Sequence, residues 1–353
     1  MRRLFLIRRL FFLLLIWLNK NMDEVQMKPL ISLIIPVYNS DDFLPRSIEA
    51  FQNLLYSKME LILVDDGSTD SSLSICKQFA KKDSRIKVFH KNNGGAASAR
   101  NYGIEHSSGK YIAFCDSDDY YEPTAFDIME NLAEENNADI VCCDARVKNI
   151  RNTRCFHKGP ELAVCDNVEG MTLLLRNQGT SSNVWGRLYK RTLFDSIRFP
   201  EGRVYEDVAV SYLLFAAAQR TVFTNKPLYN WCRRPGSIQT RQDEQARQDE
   251  LKAALDRYDY VEKNYCDPLP EIAYSELMFD LVHVYECYVK CHYDLSHIKD
   301  GLHVAEISHL AKRMSWLRYL PLRKRVEAIL LLHARSMFNL IVIYVSKLKE
   351  VRP

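Results

Sequence analysis

The sequence predicts an α/β fold in which a mostly parallel central sheet is covered by helices on both faces. Between residues 31 and 143, short apolar runs of strand length alternate with amphipathic segments whose apolar residues keep helical spacing. Strands that alternate with helices in this way pair in parallel, because each crossover helix returns the chain to the same edge of the sheet. The composition, with 47% hydrophobic and 26% charged residues among 353, is that of a globular protein.

The alternation places the individual elements in order along the chain. The first helix, residues 42–56, carries apolar side chains at Leu44, Ile48, Phe51 and Leu55, and the second, residues 70–81, repeats this spacing. A third helix opens within the glycine-rich connection NNGGAASARN, residues 92–101. The predicted strands are residues 31–37, 60–64, 86–89, 111–115 and 139–143.

Polar side chains follow three of the predicted strands at the point where each strand ends. Ligands of parallel sheets bind beyond the carboxyl ends of the strands, so these side chains and the glycine-rich connection predict one ligand site. The three clusters are Pro36-Val37-Tyr38-Asn39, Asp65-Asp66-Gly67-Ser68 and Asp116-Ser117-Asp118-Asp119.

The last of these clusters sets three aspartates into four positions. Carboxylates this close raise each other's pKa unless a cation compensates them. Oxygen ligands alone suit Mg²⁺ or Mn²⁺, ions that keep water and share the phosphates of a substrate. The alternative is a solvated acidic turn. The convergence of three strand ends favours the metal, held by Asp116 and Asp118 on a diphosphate.

The other strand ends fit the nucleoside part of such a ligand, with Asp65 or Asp66 accepting a hydrogen bond from a base N–H. Two other phosphate-binding folds are not indicated. The sequence has no GxGxxG after the first strand and no GxxxxGK[ST] anywhere, which argues against a dinucleotide-binding fold and a P-loop.

Five segments carry a resemblance to a known family: SLIIPVYN (32–39), ELILVDDGSTD (60–70), NNGGAASARNYGI (92–104), GKYIAFCDSDD (109–119) and GRVYEDVAV (202–210). Together they resemble the family 2 glycosyltransferases, which have the nucleotide-sugar-binding GT-A fold. The resemblance implies inverting transfer of a sugar from a nucleoside diphosphate donor, usually UDP-linked, to the hydroxyl of a glycan or lipid-linked acceptor. The family context favours bacterial surface polysaccharide assembly.

The resemblance also implies roles for single residues. The nucleotide would be lined by Pro36, Tyr38 and Asn39, and Asp65 and Asp66 would read the base and the ribose. The metal-binding DxD would consist of Asp116 and Asp118, with Ser117 and Gly95 among the donor-binding residues.

The resemblance places the catalytic base in the acidic pair Glu206-Asp207, which opens a predicted helix, and we assign the role to Asp207. A carboxylate near a helix N-terminus is stabilised as the anion, which keeps it ready to accept the acceptor's proton. The alternative for Asp207 is a plain helix N-cap.

Several further assignments leave two possibilities open. Arg100 would reach the diphosphate or the sugar, or would only pair with an acid at the sheet edge. Either Arg233 or Arg234, with Ser237, would approach the leaving diphosphate. Trp185 would stack on the acceptor sugar or belong to the aromatic core, and Arg187 stands where the family often has lysine.

The chain divides into three predicted regions: an N-terminal extension (1–28), a GT-A domain (29–240) and a helical C-terminal region (241–353). From residue 311 onward ten Lys or Arg stand against two Glu, interleaved with apolar runs. This pattern predicts a helix lying on an anionic membrane. A helical subdomain packed on the catalytic domain is the alternative, and one helix can serve both.

Location and partners follow from the termini and the cysteines. The apolar run at residues 10–18 is shorter than the roughly twenty residues that span a bilayer. Ten cysteines without a CxxC pair, several within apolar runs, predict a cytoplasmic protein. The basic ends add the expectation that it lies peripherally at the inner face of the cell membrane. A catalytically inactive nucleotide-sugar-binding scaffold is the main alternative function. Nucleic-acid binding through the basic ends is a weaker one, and we expect no nucleic-acid partner.

Overall fold

The computed structural model describes residues 30–148, 153–156, 159–233 and 243–350. The predicted N-terminal extension, Arg234 and Ser237 lie outside these ranges. The strands are β1 (Ile31–Val37), β2 (Met59–Asp66), β3 (Ile86–Lys91), β4 (Tyr111–Phe114), β5 (Tyr120–Tyr121), β6 (Ile140–Lys148), β7 (Thr153–Cys155), β8 (Leu162–Asp166), β9 (Arg187–Lys190) and β10 (Arg220–Cys232).

All of these strands belong to one sheet with the order β3-β2-β1-β4-β9-β6-β10-β5, while β7 pairs with β6 and β8 with β10. Strands β3, β2, β1 and β4 are parallel neighbours. Strand β9 is antiparallel to both β4 and β6, so β6 runs in the same direction as β4, and β10 is parallel to β6. The predicted mostly parallel sheet is confirmed, with β9 as an antiparallel strand inserted in its middle.

Helices cover both faces of the sheet. The predicted first two helices are confirmed but are shorter than the pattern indicated, and the first ends before Leu55, whose side chain is 66% exposed. The helices are α1 (Leu44–Gln52), α2 (Ser72–Ala80), α3 (Gly95–Glu105), α4 (Ala125–Asn136), α5 (Asn167–Leu175), α6 (Glu206–Ala217), α7 (Glu244–Asn264), α8 (Leu269–Cys291), α9 (Lys299–Ile307), α10 (His309–Arg313), α11 (Leu322–His333) and α12 (Arg335–Glu350).

Two hydrophobic cores lie on opposite faces of the sheet, and the alternation of β1 supplies both. Leu33 and Ile35 face the core beneath α1 and α4, whereas Ile34 faces the core beneath α3 and α6. The second core continues without a break into the C-terminal helices, since Tyr274 and Leu277 of α8 belong to it. The helical C-terminal region therefore packs on the predicted GT-A domain. This supports the alternative in which the residues beyond 241 form a packed helical subdomain.

The structure bears on two predictions, that the chain does not cross a membrane and that its cysteines are reduced. Within the ranges that the structure describes, no helix combines the length and apolar character needed to cross a bilayer. All ten cysteines fall in these ranges and are free, and five of them are buried in the cores, including Cys115 and Cys142.

Candidate active site

The carboxyl end of β2 places Asp65 in the interior with one oxygen available to a ligand. Its side chain is fully buried, and its Oδ2 lies 2.7 Å from His90 Nδ1 and accepts from the backbone N–H of Ser68 at 3.4 Å. Its Oδ1 has no hydrogen-bond partner among the described residues. Buried carboxylate oxygens are rarely left without a donor, so Oδ1 is the candidate acceptor for a ligand N–H or O–H.

The neighbouring Asp66 has a different function in the structure. Its carboxylate accepts from Lys91 Nζ at 2.7 Å, from Gly94 N at 3.0 Å and from Gly95 N at 2.7 Å. These bonds fix the glycine-rich connection to the sheet edge and place a negative charge at the N-terminus of α3, where it is stabilising. Of the two aspartates predicted to contact the nucleoside, Asp65 is the one whose carboxylate has an oxygen without a hydrogen-bond partner in the described structure.

The loop after β1 lies beside this position. Asn39 adopts the left-handed conformation with φ 45°, and its Oδ1 accepts from the backbone N–H of Thr69 at 2.8 Å, which joins the loops that follow β1 and β2. Tyr38 is 50% exposed, which leaves a ring face for a base to stack on. Pro36 is partly buried within β1.

The acidic cluster after β4 separates into inward and outward side chains. Asp119 is 1% exposed and accepts from the hydroxyl of Tyr229 and the backbone N–H of Cys232, both at 2.7 Å. It therefore anchors β10 and is not a candidate ligand. Asp116 and Asp118 are only partly buried. Burial raises the pKa of Asp116, and the charge of Asp118 adds to this against the opposing effect of Arg100.

Ser117 lies between the two outward aspartates and faces the interior. Its side chain is 8% exposed, and its Oγ lies 2.7 Å from Ser40 Oγ. The carbonyl oxygen of Ser117 accepts from the hydroxyl of Ser47 at 2.9 Å. Ser117 therefore fixes the acidic turn against the loop after β1, and its hydroxyl is not directed at a donor.

The outward pair fits a divalent ion that is shared with a ligand. No group of three or more His, Cys, Asp or Glu residues is arranged around a common point in the described part of the chain. The protein therefore offers no complete cage there. Two carboxylates, with the remaining ligands from phosphates and water, are the donor set that Mg²⁺ and Mn²⁺ take in nucleotide enzymes. Asp116 and Asp118 satisfy this requirement.

Arg100 on α3 connects the acidic turn to the predicted catalytic pair. Its Nη2 lies 3.0 Å from Asp116 Oδ1 and its Nη1 lies 2.5 Å from Glu206 Oε1. Burial opposes its charge, but Glu206 and Asp116 outweigh burial and raise the pKa of Arg100. The two alternatives predicted for Arg100 are thus compatible, because the residue pairs with a sheet-edge acid at the position where a diphosphate would lie.

Asp207 occupies the second position of α6. The cap position belongs to Tyr205, which adopts a left-handed conformation with φ 60° and forms no side-chain cap. Among the described residues, Asp207 Oδ1 accepts a hydrogen bond only from the adjacent backbone N–H of Val208, at 2.8 Å, so Asp207 is not the N-cap of α6. Burial and then Glu206 raise the pKa of Asp207 to about 7, against Arg100. A pKa near the working pH is what a general base requires.

Helix α7 forms hydrogen bonds with the loop that precedes Glu206 and Asp207, the predicted catalytic pair. Asp249 accepts from the backbone N–H of Val204 at 3.0 Å, Arg247 donates to the hydroxyl of Tyr205 at 2.7 Å, and Asp256 pairs with Arg203 at 3.1 Å. Sequence reasoning missed these residues because α7 is highly charged and resembles a solvated helix. Its partners lie 42 to 53 residues away in sequence, so no local pattern identifies them.

Arg187 is a structural residue. It is 1% exposed and donates to Thr180 Oγ1 at 2.6 Å, to the hydroxyl of Tyr189 at 3.1 Å and to Ser211 of α6 at 3.4 Å. The guanidinium thereby joins β9, the loop before it and α6. Several donors in fixed directions are needed for this, and lysine offers a single point charge.

Trp185 and the β10 aromatics form a cluster. The ring of Trp185 stacks on Tyr229 at 4.6 Å with an interplanar angle of 6°, and Trp231 lies 5.9 Å away. Its position agrees with the core alternative, and the acceptor role of Trp185 stays a prediction. Arg233 is exposed, with its guanidinium 4.4 Å from the centre of the Trp231 ring.

Comparison with known proteins finds glycosyltransferases. The profile described as "Glycosyl transferase family 2" matches residues 32–202. Glycosyltransferase GlyG of Streptococcus pneumoniae serotype 4 is 33% identical over 222 residues, which cover 60% of this chain and 73% of that protein. Glycosyltransferase GlyA of the same organism is 31% identical over 224 residues. That match covers 59% of this chain and 31% of GlyA, so the chain spans about a third of the length of GlyA.

Solved structures with the same fold include two nucleotide-sugar complexes. Residues 1–349 of TarS from S. aureus in complex with UDP-GlcNAc superpose with a TM-score of 0.57 at 19% identity, covering 85% of this chain and 81% of that one. Mannosyltransferase PcManGT from Pyrobaculum calidifontis, in complex with GDP-Man and Mn²⁺, gives a TM-score of 0.50 at 14% identity, covering 86% of each chain. At these identities the likeness concerns the fold, and it confirms the predicted GT-A architecture.

The raised pKa of Asp207 predicts that Asp207→Asn stabilises the protein more at pH 8 than at pH 5. A carboxyl whose pKa rises from about 3.9 in the unfolded chain to about 7 on folding favours the folded state only while it is protonated. This contribution is complete below the unfolded pKa and is lost as the pH rises through 7. We therefore expect the difference in melting temperature, variant minus wild type, to increase between pH 5 and pH 8.

Asp259→Asn provides the control for loss of one charge, because Asp259 is 58% exposed on α7 and pairs with Lys263 at the surface. Its melting-temperature difference should stay nearly constant over the same range. A constant difference for Asp207→Asn as well would contradict the raised pKa.

Proposed function

The chain belongs to glycosyl transferase family 2, and from this we propose that it transfers a sugar from a nucleoside diphosphate donor to an acceptor hydroxyl with inversion. One observation carries the proposal: the buried Arg100 contacts both Asp116, at the predicted diphosphate position, and Glu206, beside the predicted base. Donor-side and acceptor-side groups therefore meet at a single guanidinium. The coarser assignment, membership of the family, is independent of this mechanism.

We propose a uridine donor. The unpartnered Oδ1 of Asp65 suits the imide N–H of a uracil ring, and the exposed ring of Tyr38 suits stacking on that base. TarS, which has the same fold, was solved with UDP-GlcNAc and with UDP. The identity of the sugar depends on contacts to its hydroxyl groups, and the proposal does not extend to it.

Asp116 and Asp118 would hold a divalent ion, Mn²⁺ or Mg²⁺, on the diphosphate. When bound, such an ion stabilises the negative charge that develops on the leaving diphosphate. Arg100 lies beside Asp116 and adds a second positive charge to the same region. Both features lower the cost of separating the diphosphate from the anomeric carbon.

Asp207 would act as the general base. It accepts the proton of the acceptor hydroxyl while the hydroxyl oxygen attacks the anomeric carbon from the side opposite the diphosphate. The new carbon–oxygen bond forms as the bond to the diphosphate oxygen breaks, so a single displacement inverts the configuration. Glu206 is held by Arg100 at 2.5 Å, whereas Asp207 has no charged partner at that distance among the described residues. This difference favours Asp207 over Glu206.

We also propose that the C-terminal helix contacts the membrane at which a lipid-linked acceptor would lie. One face of α12 packs on α8, where the rings of Phe338 and Tyr285 lie 5.7 Å apart. The other face presents Met337, Leu340 and Tyr344, which are 50%, 70% and 64% exposed. Apolar residues at this spacing on a basic amphipathic helix suit the interface of an anionic bilayer. Peripheral location at the inner face of the cell membrane is part of this proposal.

The metal assignment predicts that Asp118→Asn weakens UDP binding in the presence of Mn²⁺ or Mg²⁺, because an amide replaces a hard anionic ligand with little change of shape. Isothermal titration with UDP, with and without the ion, measures this. The variant should bind UDP almost equally in both conditions, whereas the wild type should bind more tightly with the ion. Equal enhancement by the ion in both proteins would contradict the assignment.

The base assignment predicts that Asp207→Asn lowers the transfer rate by ~10²–10⁴-fold at saturating substrates, the usual contribution of a positioned base. UDP-sugar affinity should stay the same, since the donor contacts lie in the first half of the chain. Turnover close to wild type would remove Asp207 from the mechanism. Absence of transfer by the wild type, with intact UDP-sugar binding, would support the inactive-scaffold alternative.

The membrane proposal predicts that Leu340→Glu reduces binding to vesicles of phosphatidylcholine and phosphatidylglycerol by ~10-fold or more, because the transfer free energy of one leucine is lost. A point substitution is preferable to truncation after Leu317, which would also remove the buried Leu331 and Phe338. Co-sedimentation measures the binding. Leu162→Glu on strand β8, where Leu162 is 56% exposed, is the control and should bind like wild type. Equal binding by all three proteins would exclude α12 as the contact.

A further inference from the structure

A cavity of about 170 Å³ lies beside the first turn of α6, between the catalytic domain and the C-terminal helices. Tyr205 and Val208 line it and lie on either side of the Glu206-Asp207 pair in sequence. Helix α7 contributes Glu250 and Arg257, and α8 contributes Glu276 and Asp280. Glu206 and Asp207 do not themselves line the cavity, which lies against the same first turn of α6 and takes more than half of its lining residues from α7 and α8.

The polar groups of this acidic cavity are short of hydrogen-bond donors. Arg257 is 6% exposed and donates to Asp280 at 3.0 Å and to Ser182 at 3.3 Å, but its Nε, although buried, has no partner in the described structure. Within the described ranges, Glu276 accepts a side-chain hydrogen bond only from the amide of Asn177, at 3.1 Å. A buried guanidinium N–H without an acceptor, beside a carboxylate with only a neutral donor, indicates an arrangement completed by a ligand.

The protonation behaviour of the cavity supports this. Burial raises the pKa of both Glu250 and Glu276 to about 7, and it also raises the pKa of Asp280. Carboxyl groups respond in this way when neighbouring donors and cations do not compensate for lost hydration. Glu250 pairs with Arg247 and Asp280 pairs with Arg257, which leaves Glu276 as the carboxyl without an ion-pair partner among the described residues. Three carboxyl groups against two arginines favour a ligand that brings O–H or N–H donors and disfavour one that brings another anion.

Size and shape agree with a single sugar ring. An engineered cavity of about 150 Å³ binds one benzene molecule, so a cavity of about 170 Å³ is on the scale of one six-membered ring. The ring of Phe279 is 37% exposed at the cavity and offers an apolar face, as aromatic rings in binding pockets do. A sugar ring has hydroxyl donors at its edge and an apolar face, so it would contact both the carboxyl groups and the ring of Phe279.

We propose that the acidic cavity binds the terminal sugar of the acceptor, that it selects a neutral or amino sugar, and that it rejects a sugar carrying carboxylate or phosphate. This inference rests on the proposed transferase function, and it names the acceptor class of the same site. The sugar would present its reacting hydroxyl toward Asp207, whose sequence neighbours line the cavity. Its other hydroxyls, or an ammonium group, would donate to Glu276 and Asp280.

Three monosaccharides with the same ring and different charge test the proposal: D-glucosamine, D-glucose and D-glucuronate. Saturation-transfer NMR on the full chain with Mg²⁺ and UDP measures their apparent affinities. For the wild type we expect glucosamine and glucose to bind, and glucuronate to bind at least ~10-fold more weakly. In Glu276→Gln, which preserves shape and loses the charge, the preference for glucosamine over glucuronate should fall by ~10-fold.

Asp280→Asn is a second variant in the same cavity and serves if Glu276→Gln does not give a folded protein. Asp259→Asn, on the exposed face of α7, is the matched control and should keep the wild-type preferences. UDP affinity should be the same in all four proteins, which separates the acceptor cavity from the donor site. Because sugar binding is measured without transfer, failure of Asp207 as the base would leave this result intact.

Two sugar-binding results would overturn the proposal. In one, the wild type binds all three sugars with the same affinity, so that charge does not decide. In the other, Glu276→Gln and Asp280→Asn both keep the wild-type preferences while remaining folded by thermal melting. Loss of UDP binding in either variant, with the fold intact, would likewise contradict it, because the cavity would then serve the donor.

Discussion

The arrangement of the candidate active site depends on one buried charge, the guanidinium of Arg100. Only 7% of its side chain is exposed, and a buried cation without paired anions costs several kcal/mol. Asp116 from the end of β4 and Glu206 from the start of α6 must therefore both approach it. The position of Arg100 is set in turn by Asp66, which fixes the beginning of α3 through Gly94 and Gly95. The carboxylates at the edge of the sheet thus determine where α6, the helix that carries the proposed base, begins.

The C-terminal helices complete this arrangement from the other side. Helix α7 meets the loop before α6 with Arg247, Asp249 and Asp256, and its contacts are charge-assisted hydrogen bonds, which are stronger and more directional than neutral ones. Since α7 and α8 share a hydrophobic core with the sheet, these bonds are made by a rigid support. This explains why the left-handed conformation of Tyr205 is tolerated immediately before the first residue of α6.

Much of the sheet and the position of the site could be predicted from sequence, because apolar periodicity and strand-end polarity are local properties. The direction of each polar side chain was not predictable in the same way. Asp119 belongs to the same acidic turn as Asp116, but its partner Tyr229 lies 110 residues away. Asp66 differs from Asp65 only in which side of the strand it faces, and that decides between holding α3 and offering an oxygen to a ligand. The antiparallel insertion of β9 has the same origin, since its partners in β4 and β6 are distant in sequence.

Two adjacent carboxylates can serve one reaction only if their surroundings make them different. Glu206 lies against Arg100, which compensates its charge and holds its side chain in place. Asp207 is one residue further along α6, has Val208 N–H as its hydrogen-bond donor, and is burdened by burial and by the charge of Glu206, so its pKa rises to about 7. Enzymes assign acid and base roles by giving titratable groups different surroundings. In this protein the guanidinium makes the surroundings different, because Arg100 bonds Glu206 directly, whereas burial raises the pKa of Asp207 and Arg100 opposes this only as a charge.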